Sequence, residues 1–276
     1  MTYRTYREVE GSDRSRLAEQ VGEQRNRVVE RLAGVERVVP VMSGKGGVGK
    51  SYVTAALALE LARRYEGRVG VLDADLTGPT VVRMLDARGP LKVDADGVEP
   101  ATGKGGVRVM SMGLLLESGQ PLKWREPDSE QFVWRGTLEA GTLREFLADV
   151  KWGSLGFLLV DLPPGAASIA NLANLVSDVA GAIAVTIPSE ESGQSVERAI
   201  RSAIDCNVDV VGIVENMCSY VCSDCGHSVR LFEGSAGLRL SEEFELPLLA
   251  QIPFVPGQAS TGAIGTLADA LIENLS

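Results

Sequence analysis

The sequence predicts an α/β fold in which a mainly parallel sheet carries helices on both faces. Three observations predict it. Short apolar runs alternate with longer stretches of helical period along most of the 276 residues. The first clear run, Val38 to Met42, leads into a glycine-rich loop and then a helical pattern. Two later runs, Val69 to Leu72 and Gly156 to Val160, are each followed at once by aspartate. There a parallel strand would deliver a carboxylate to the ligand crevice at its C-terminal edge.

The elements follow in order. In the charged stretch 1–35, Leu17, Val21, Val28, Val29 and Leu32 recur at roughly helical spacing between arginines and glutamates. That predicts an amphipathic helix packing on the domain or on a partner. Strands are expected at 38–42, 68–72, 107–112, 156–160, 181–187, 208–214 and 248–252. Helices are expected near 51–65, 137–150, 168–178, 192–205, 235–245 and 262–274. Residues 86–106 break the rhythm. Turns at Asp94-Ala95-Asp96-Gly97 and Gly103-Lys104-Gly105-Gly106 suggest short strands and an inserted hairpin. Residues 117–130 form a polar excursion. No linker separates two domains and no repeat occurs. The organisation expected is a helical extension over 1–36 and one domain over 37–276, with a cysteine loop at 217–228.

Composition narrows the function. A hydrophobic content of 45% supplies a sizeable core, and a net charge of −10 argues against general nucleic-acid binding. No apolar run approaches a membrane span, and Met1-Thr2-Tyr3-Arg4 does not begin a signal peptide. A cytoplasmic protein is expected. Its four cysteines would stay reduced rather than form structural disulfides.

The glycine loop carries the strongest chemical signal. Gly44-Lys45-Gly46-Gly47-Val48-Gly49-Lys50-Ser51 fits G-x-x-x-x-G-K-[ST], with Tyr52 next in the helix. Backbone N–H groups would wrap a polyphosphate, and the helix start would face the same anion. Lys50 would reach the β- and γ-phosphates and Ser51 would ligate Mg²⁺. This makes the expected fold a P-loop NTPase. Lys45 is not needed to hold phosphate. It could reach across a dimer interface to the partner's nucleotide, or be an exposed loop lysine.

Asp73 and Asp75 follow a strand at i and i+2 and would share a face. One could hold the metal's hydration shell while the other orients the attacking water; the alternative is a pair of solvated turn residues. Asp161 ends the run from Gly156 in the Walker B pattern and would contact Mg²⁺. In the Leu162-Pro163-Pro164-Gly165 loop that follows, the prolines add stiffness and the N–H of Gly165 could sense the γ-phosphate.

With these residues in place, the chain resembles the deviant Walker A ATPases, the group that includes MinD and the nitrogenase iron protein. Within it the chain is most similar to the Mrp/ApbC iron–sulfur cluster carriers. The segments that carry the likeness are Val41 to Ser51, Leu72 to Thr80, Val109 to Gly113, Val133 to Gly136, Asp161 to Gly165 and Val214 to Met217. It spans roughly residues 37–260. The resemblance implies that Lys45 is the signature lysine and Lys50 the Walker A lysine. It implies that Asp75 acts on the water, that Asp161 is the Walker B acid, and that Asn216 hydrogen-bonds adenine. A loop near Pro253 would close over the base. It also implies homodimers that sandwich ATP. Three departures stand out: Tyr52 for threonine, Thr137 for proline, and no acid in Gly165-Ala166-Ala167-Ser168. The last bears on turnover.

Cys218, Cys222 and Cys225 cluster in the loop, and a C-x-x-C pair followed by glycine is a common metal-binding turn. The resemblance matches Cys222 and Cys225 to the carriers' C-x-x-C. Two thiolates are half of a four-coordinate set, which a symmetric dimer would complete for a [4Fe–4S] cluster. Zn²⁺ at the same thiolates, or a mononuclear site with Cys218 or His227, stays open, and a redox pair is weaker. Cys206 is expected beside the core.

The expected function is an ATP-hydrolysing carrier of [4Fe–4S] clusters, dimeric and cytoplasmic, with a cluster donor and apoprotein recipients as partners. A MinD-like positioning ATPase and a nickel or zinc metallochaperone are the alternatives. Membrane docking would need a basic amphipathic tail, and Thr266 to Ser276 is short and acidic.

Overall fold

A computed structural model describes residues 17–76, 78–115, 131–222, 224–256 and 261–275. The polar excursion at 117–130 and the side chains of Val133 to Thr137 lie outside the described set. In chain order the first half comprises α1 (Leu17–Leu32), β1 (Val38–Met42), α2 (Lys50–Arg64), β2 (Val69–Asp73) and α3 (Val81–Met84), then β3 (Val93–Asp94), β4 (Gly97–Val98), β5 (Ala101–Thr102), β6 (Arg108–Ser111) and α4 (Gln131–Asp149). The second half comprises β7 (Phe157–Asp161), α5 (Ala167–Ala173), β8 (Ala182–Thr186), α6 (Glu190–Asp205) and β9 (Val210–Val221), then β10 (Ser228–Arg230), α7 (Ala236–Phe244), β11 (Leu248–Phe254) and α8 (Thr261–Asn274).

Among the described residues the main sheet has nine strands in the order β10-β9-β8-β1-β7-β2-β6-β5, with β11 on the free edge of β9. Strands β11, β9, β8, β1, β7, β2 and β6 run parallel, while β5 and β10 are antiparallel additions. The central strands are apolar at almost every position because both faces are covered. Successive residues alternate between two cores. Val39, Val41, Phe157 and Leu159 face the core built with α2 and α8. Val38, Met42, Leu158 and Val160 face the core built with α4, α5 and α6.

The expected fold class is what the structure has, with local corrections. β9 was expected to stop at 214 but continues to Val221, because β11 pairs with it as far as Tyr220 and β10 from Ser219. α4 begins at Gln131 rather than 137, and α5 ends at Ala173 rather than 178. The expected hairpin exists as β3 and β4, whereas the one-turn helix α3 and strand β10 were not foreseen. In α1, Val28 is buried, whereas Val29 is 57% exposed and does not belong to the apolar stripe. Cys206 packs beside the core as expected.

Candidate functional site

β1, β7 and β2 are neighbours in register, so their C-terminal ends form one edge. Val41 pairs with Asp161 across β1 and β7, and Asp161 pairs with Asp73 across β7 and β2. The glycine loop leaves β1 at this edge and turns into α2. That helix starts without a side-chain cap and with no acid in its first turn, so its N–H groups are left for an anion. Gly49 stands before it at φ 81°, and an added Cβ there would sit 2.2 Å from Asn216 Nδ2. Gly44 is equally constrained: its Cβ would lie 2.0 Å from the backbone of Ser195 in α6. The loop is therefore wedged between α6 and β9.

Under the loop lies a buried polar network. Lys50 Nζ meets Asp161 Oδ1 at 2.7 Å, and Ser51 Oγ donates to Asp161 Oδ2 at 2.6 Å. Thr54 Oγ1, one turn on, donates to Asp161 Oδ1 at 3.1 Å and lies 3.0 Å from Lys50 O. Asp161 is fully buried and Lys50 is 6% exposed, so each charge is answered where water cannot reach it. Ser43 is also fully buried, and its carbonyl accepts from the Gly165 N–H at 2.9 Å. That bond ties the loop after β7 to the glycine loop.

The two aspartates after β2 part company. Asp73 is buried, accepting from Ser111 Oγ at 3.1 Å and from the Asp75 N–H at 3.3 Å. Burial, and then the negative charge of Asp161, push its carboxyl up to about 7. Asp75 is half-buried and lines a cavity of about 270 Å³ together with Lys45, Ser51, Tyr52, Thr80 and Pro164. A larger cavity of about 560 Å³ lies at the far end of the fold, between Arg31, Arg108 and Lys151, away from these residues. The loop cavity is the candidate site, because the glycine loop that fits the phosphate-binding pattern opens into it. The donor set fits a hard divalent cation: Ser51 Oγ and the Asp161 carboxylate are adjacent oxygens, the ligand type Mg²⁺ takes.

Asn216 is brought to the same loop from β9, donating through Nδ2 to Val48 O at 2.9 Å. Pro253 lies within β11, one residue before the strand ends at Phe254, because β11 continues its pairing with β9 to that point.

The cysteine loop is a tight hairpin between β9 and β10. Cys222 N–H donates to His227 O at 3.0 Å, and Gly226 N–H donates to Cys222 O at 2.9 Å. The Cys222 thiol is held below its usual range, first by the Cys225 N–H, then by the Asp224 N–H and the Cys225 thiol. Cys225 is exposed. Cys218 stays in β9, half-buried, with burial raising its thiol. Among the described residues no three His, Cys, Asp or Glu side chains gather around one point as a metal site would need. The hairpin thus brings the Cys222 and Cys225 thiols together.

Residues 34–271 match the family described as ParA: NUBPL iron-transfer P-loop NTPase. The chain belongs to that family. Among its relatives, the iron-sulfur cluster carrier protein of Saccharolobus solfataricus is 37% identical, over 85% of this chain and 77% of its own. The cytosolic Fe-S cluster assembly factor cfd1 of Neurospora crassa is 36% identical, over 86% of this chain and 83% of its own. A nucleotide-binding protein of Archaeoglobus fulgidus, solved in complex with ADP and with cobalt, superposes with a TM-score of 0.68. It is 33% identical and covers 90% of this chain and 92% of its own. The cell division ATPase MinD of Pyrococcus furiosus shares the fold, with a TM-score of 0.56 at 20% identity over 87% of this chain and 100% of its own.

In this member of the iron-transfer P-loop NTPase family, the roles of two polar residues at the site escaped the sequence reading. Thr54 supports Asp161 and could have been noticed from its place one helical turn after Lys50. Ser111 supports Asp73 but gives no signal of its own, since only the β2–β6 register brings them together. None of the described helices is long and apolar enough to cross a membrane.

Proposed function

We propose that this chain is an ATP-dependent carrier of iron–sulfur clusters. The observation that carries the reading is the two-thiol hairpin at Cys222 and Cys225, presented at the end of a strand of an iron-transfer P-loop NTPase. Two thiolates, with no third ligand gathered beside them among the described residues, suit cargo that is shared between subunits and given up again. The cargo would be a [4Fe–4S] cluster bridging a homodimer. Apolar side chains beside the hairpin support a pairing surface, since Val229, Leu231 and Phe254 are exposed there.

ATP is the proposed nucleotide. The N–H groups of Gly44, Gly46, Gly47, Val48 and Gly49 would cradle its phosphates, and Lys50 would move from Asp161 to the β- and γ-oxygens. Ser51 and Asp161 would hold Mg²⁺, with Asp73 behind them. The cation would neutralise charge developing on the phosphates. Asp75 would orient the water that attacks the γ-phosphorus, giving ADP and phosphate. Lys45 would act on the partner's nucleotide, and Asn216 would meet adenine. The loop at 165–168 has no acid, so slow turnover is proposed. A cluster donor, apoprotein recipients, a cytoplasmic setting and a boundary between a 1–36 extension and the 37–276 domain complete the reading.

The test is anaerobic reconstitution with iron and sulfide, followed by iron, zinc and sulfide analysis. Cys222→Ser and Cys225→Ser should each lose the visible-absorbing cluster while still binding ATP. Full retention of the cluster by both would overturn the assignment. Zinc without sulfide would favour a zinc site instead.

A further inference from the structure

β9 serves both the glycine loop and the cysteine hairpin, and its pairing with β11 shifts register between them, as it also does earlier at Leu248/Ala250. At Glu215 the strand is firmly held. The buried Glu215 carboxylate accepts from Ser235 Oγ at 2.9 and 3.0 Å, from the Gly237 N–H at 2.8 Å and from Gln251 Nε2 at 2.7 Å. Asn216 then bonds to Val48 O in the glycine loop. From there the ladder loses step. Asn216 pairs with Ile252 and Tyr220 with Phe254, so Met217, Cys218 and Ser219 face the single residue Pro253. On the other edge, pairing with β8 ends at Glu215 and pairing with β10 begins at Ser219.

Met217 sits at the head of this bulge with φ 55°, in the left-handed region that a residue other than glycine seldom adopts. Its side chain turns back to the loop. A Cβ added at Gly49 would lie 3.4 Å from Met217 Cε. Met217 thus has its thioether end beside the space above the last glycine of the loop, and its backbone sets the direction in which the strand leaves for Cys222. Such conformations persist only where the surroundings over-determine them, and they gather at switch regions.

We propose that Met217 is a positioning residue that couples the two sites, so that nucleotide and thiolate-bound cluster change each other's affinity. A loop that tightens on phosphate presses on the thioether, and the bulge turns that pressure into a new exit angle for the hairpin. Glu215 holds the rest of β9 still, so the movement is confined to the segment leading to Cys222. This rests on the carrier reading above.

Linkage makes the coupling measurable from either side. The full chain is prepared anaerobically with and without a reconstituted cluster, and the Kd of a non-cleavable ATP analogue is measured for both forms. The two values should differ by roughly fivefold or more. M217A removes the thioether and should bring the ratio within about twofold, whereas M217L keeps the bulk and should retain it. If M217A loses its fold, M217G, which accepts the left-handed backbone freely, should show the same loss of ratio. A ratio within about twofold in the unsubstituted chain, or an unchanged ratio in M217A, overturns the proposal. So does a variant that weakens both affinities together with the ratio intact, which is what a purely structural role would give. Failure of the unsubstituted chain to take up cluster or nucleotide at all would take down the carrier reading and this proposal with it. Coupling alone can fail while both still bind.

Discussion

Under the glycine loop the Lys50 and Asp161 charges are buried and answer one another. At the cysteine hairpin the second thiol faces outward, and only backbone N–H groups and its own neighbour support the first. The two regions share a strand, yet one is a closed polar network and the other presents a thiol to the surface. A network such as Lys50, Ser51, Thr54 and Asp161 keeps buried charge satisfied until a ligand takes over the lysine, which suits a site that is to receive phosphate. A pair of thiols at a sheet margin fixes little, which suits a ligand that is to be passed on.

The sharpest break between the regions should come from Lys50→Ala. It strips the partner from a fully buried carboxylate, and truncating one member of a buried pair costs roughly 3–5 kcal/mol. Urea denaturation should show that loss, calorimetry should show no ATP binding, and the hairpin should still accept iron. Normal nucleotide affinity in this variant would mean that the cavity is not the phosphate site.

A glycine-to-alanine pair compares the regions directly. Gly44→Ala would drive a methyl group into the Ser195 backbone and should cost about 2–3 kcal/mol. Gly226→Ala in the hairpin meets no atom within 4 Å and carries only the strain of φ 70°, about 1 kcal/mol. Equal shifts in denaturation midpoint would contradict the picture of a wedged loop and an open hairpin.

A pH profile sharpens the buried side further. Asp73 keeps its proton up to about 7 when folded, whereas the unfolded carboxyl releases it near 3.8. Between those values the native state binds more protons than the unfolded one, so stability present at low pH is lost as pH rises toward 7. One proton accounts for at most about 1.4 kcal/mol per pH unit. Asp73→Asn should flatten that slope in urea midpoints measured across the window, and an unaltered slope would show that another group titrates there.

The alternation of strands and helices was legible because both faces of the sheet are covered, which leaves apolar runs with few interruptions. The glycine loop was legible because its residues are contiguous and each type has one physical use. Asp161 was legible as the acid that ends such a run. Less could be read where partners are far apart in sequence. The i and i+2 spacing of Asp73 and Asp75 suggested one shared face. Folding instead buries Asp73 against Ser111 and leaves Asp75 at the cavity, because register with β6 and β7 decides what flanks each carboxylate. The length of β9 was missed for a similar reason: its last residues are extended because β10 and β11 hold them.

By itself, then, the chain determined the kind of fold, the phosphate loop and the presence of two thiols at metal-ligand spacing. All of these are local patterns, set by backbone freedom and apolar period over a few neighbouring residues. Tertiary structure alone decided that Lys50 would meet Asp161, that Asp73 would be too dry to ionise readily, and that Asn216 and Met217 would lean on the glycine loop. Those outcomes depend on strand register and on the exclusion of water, and neither exists until distant segments have packed together.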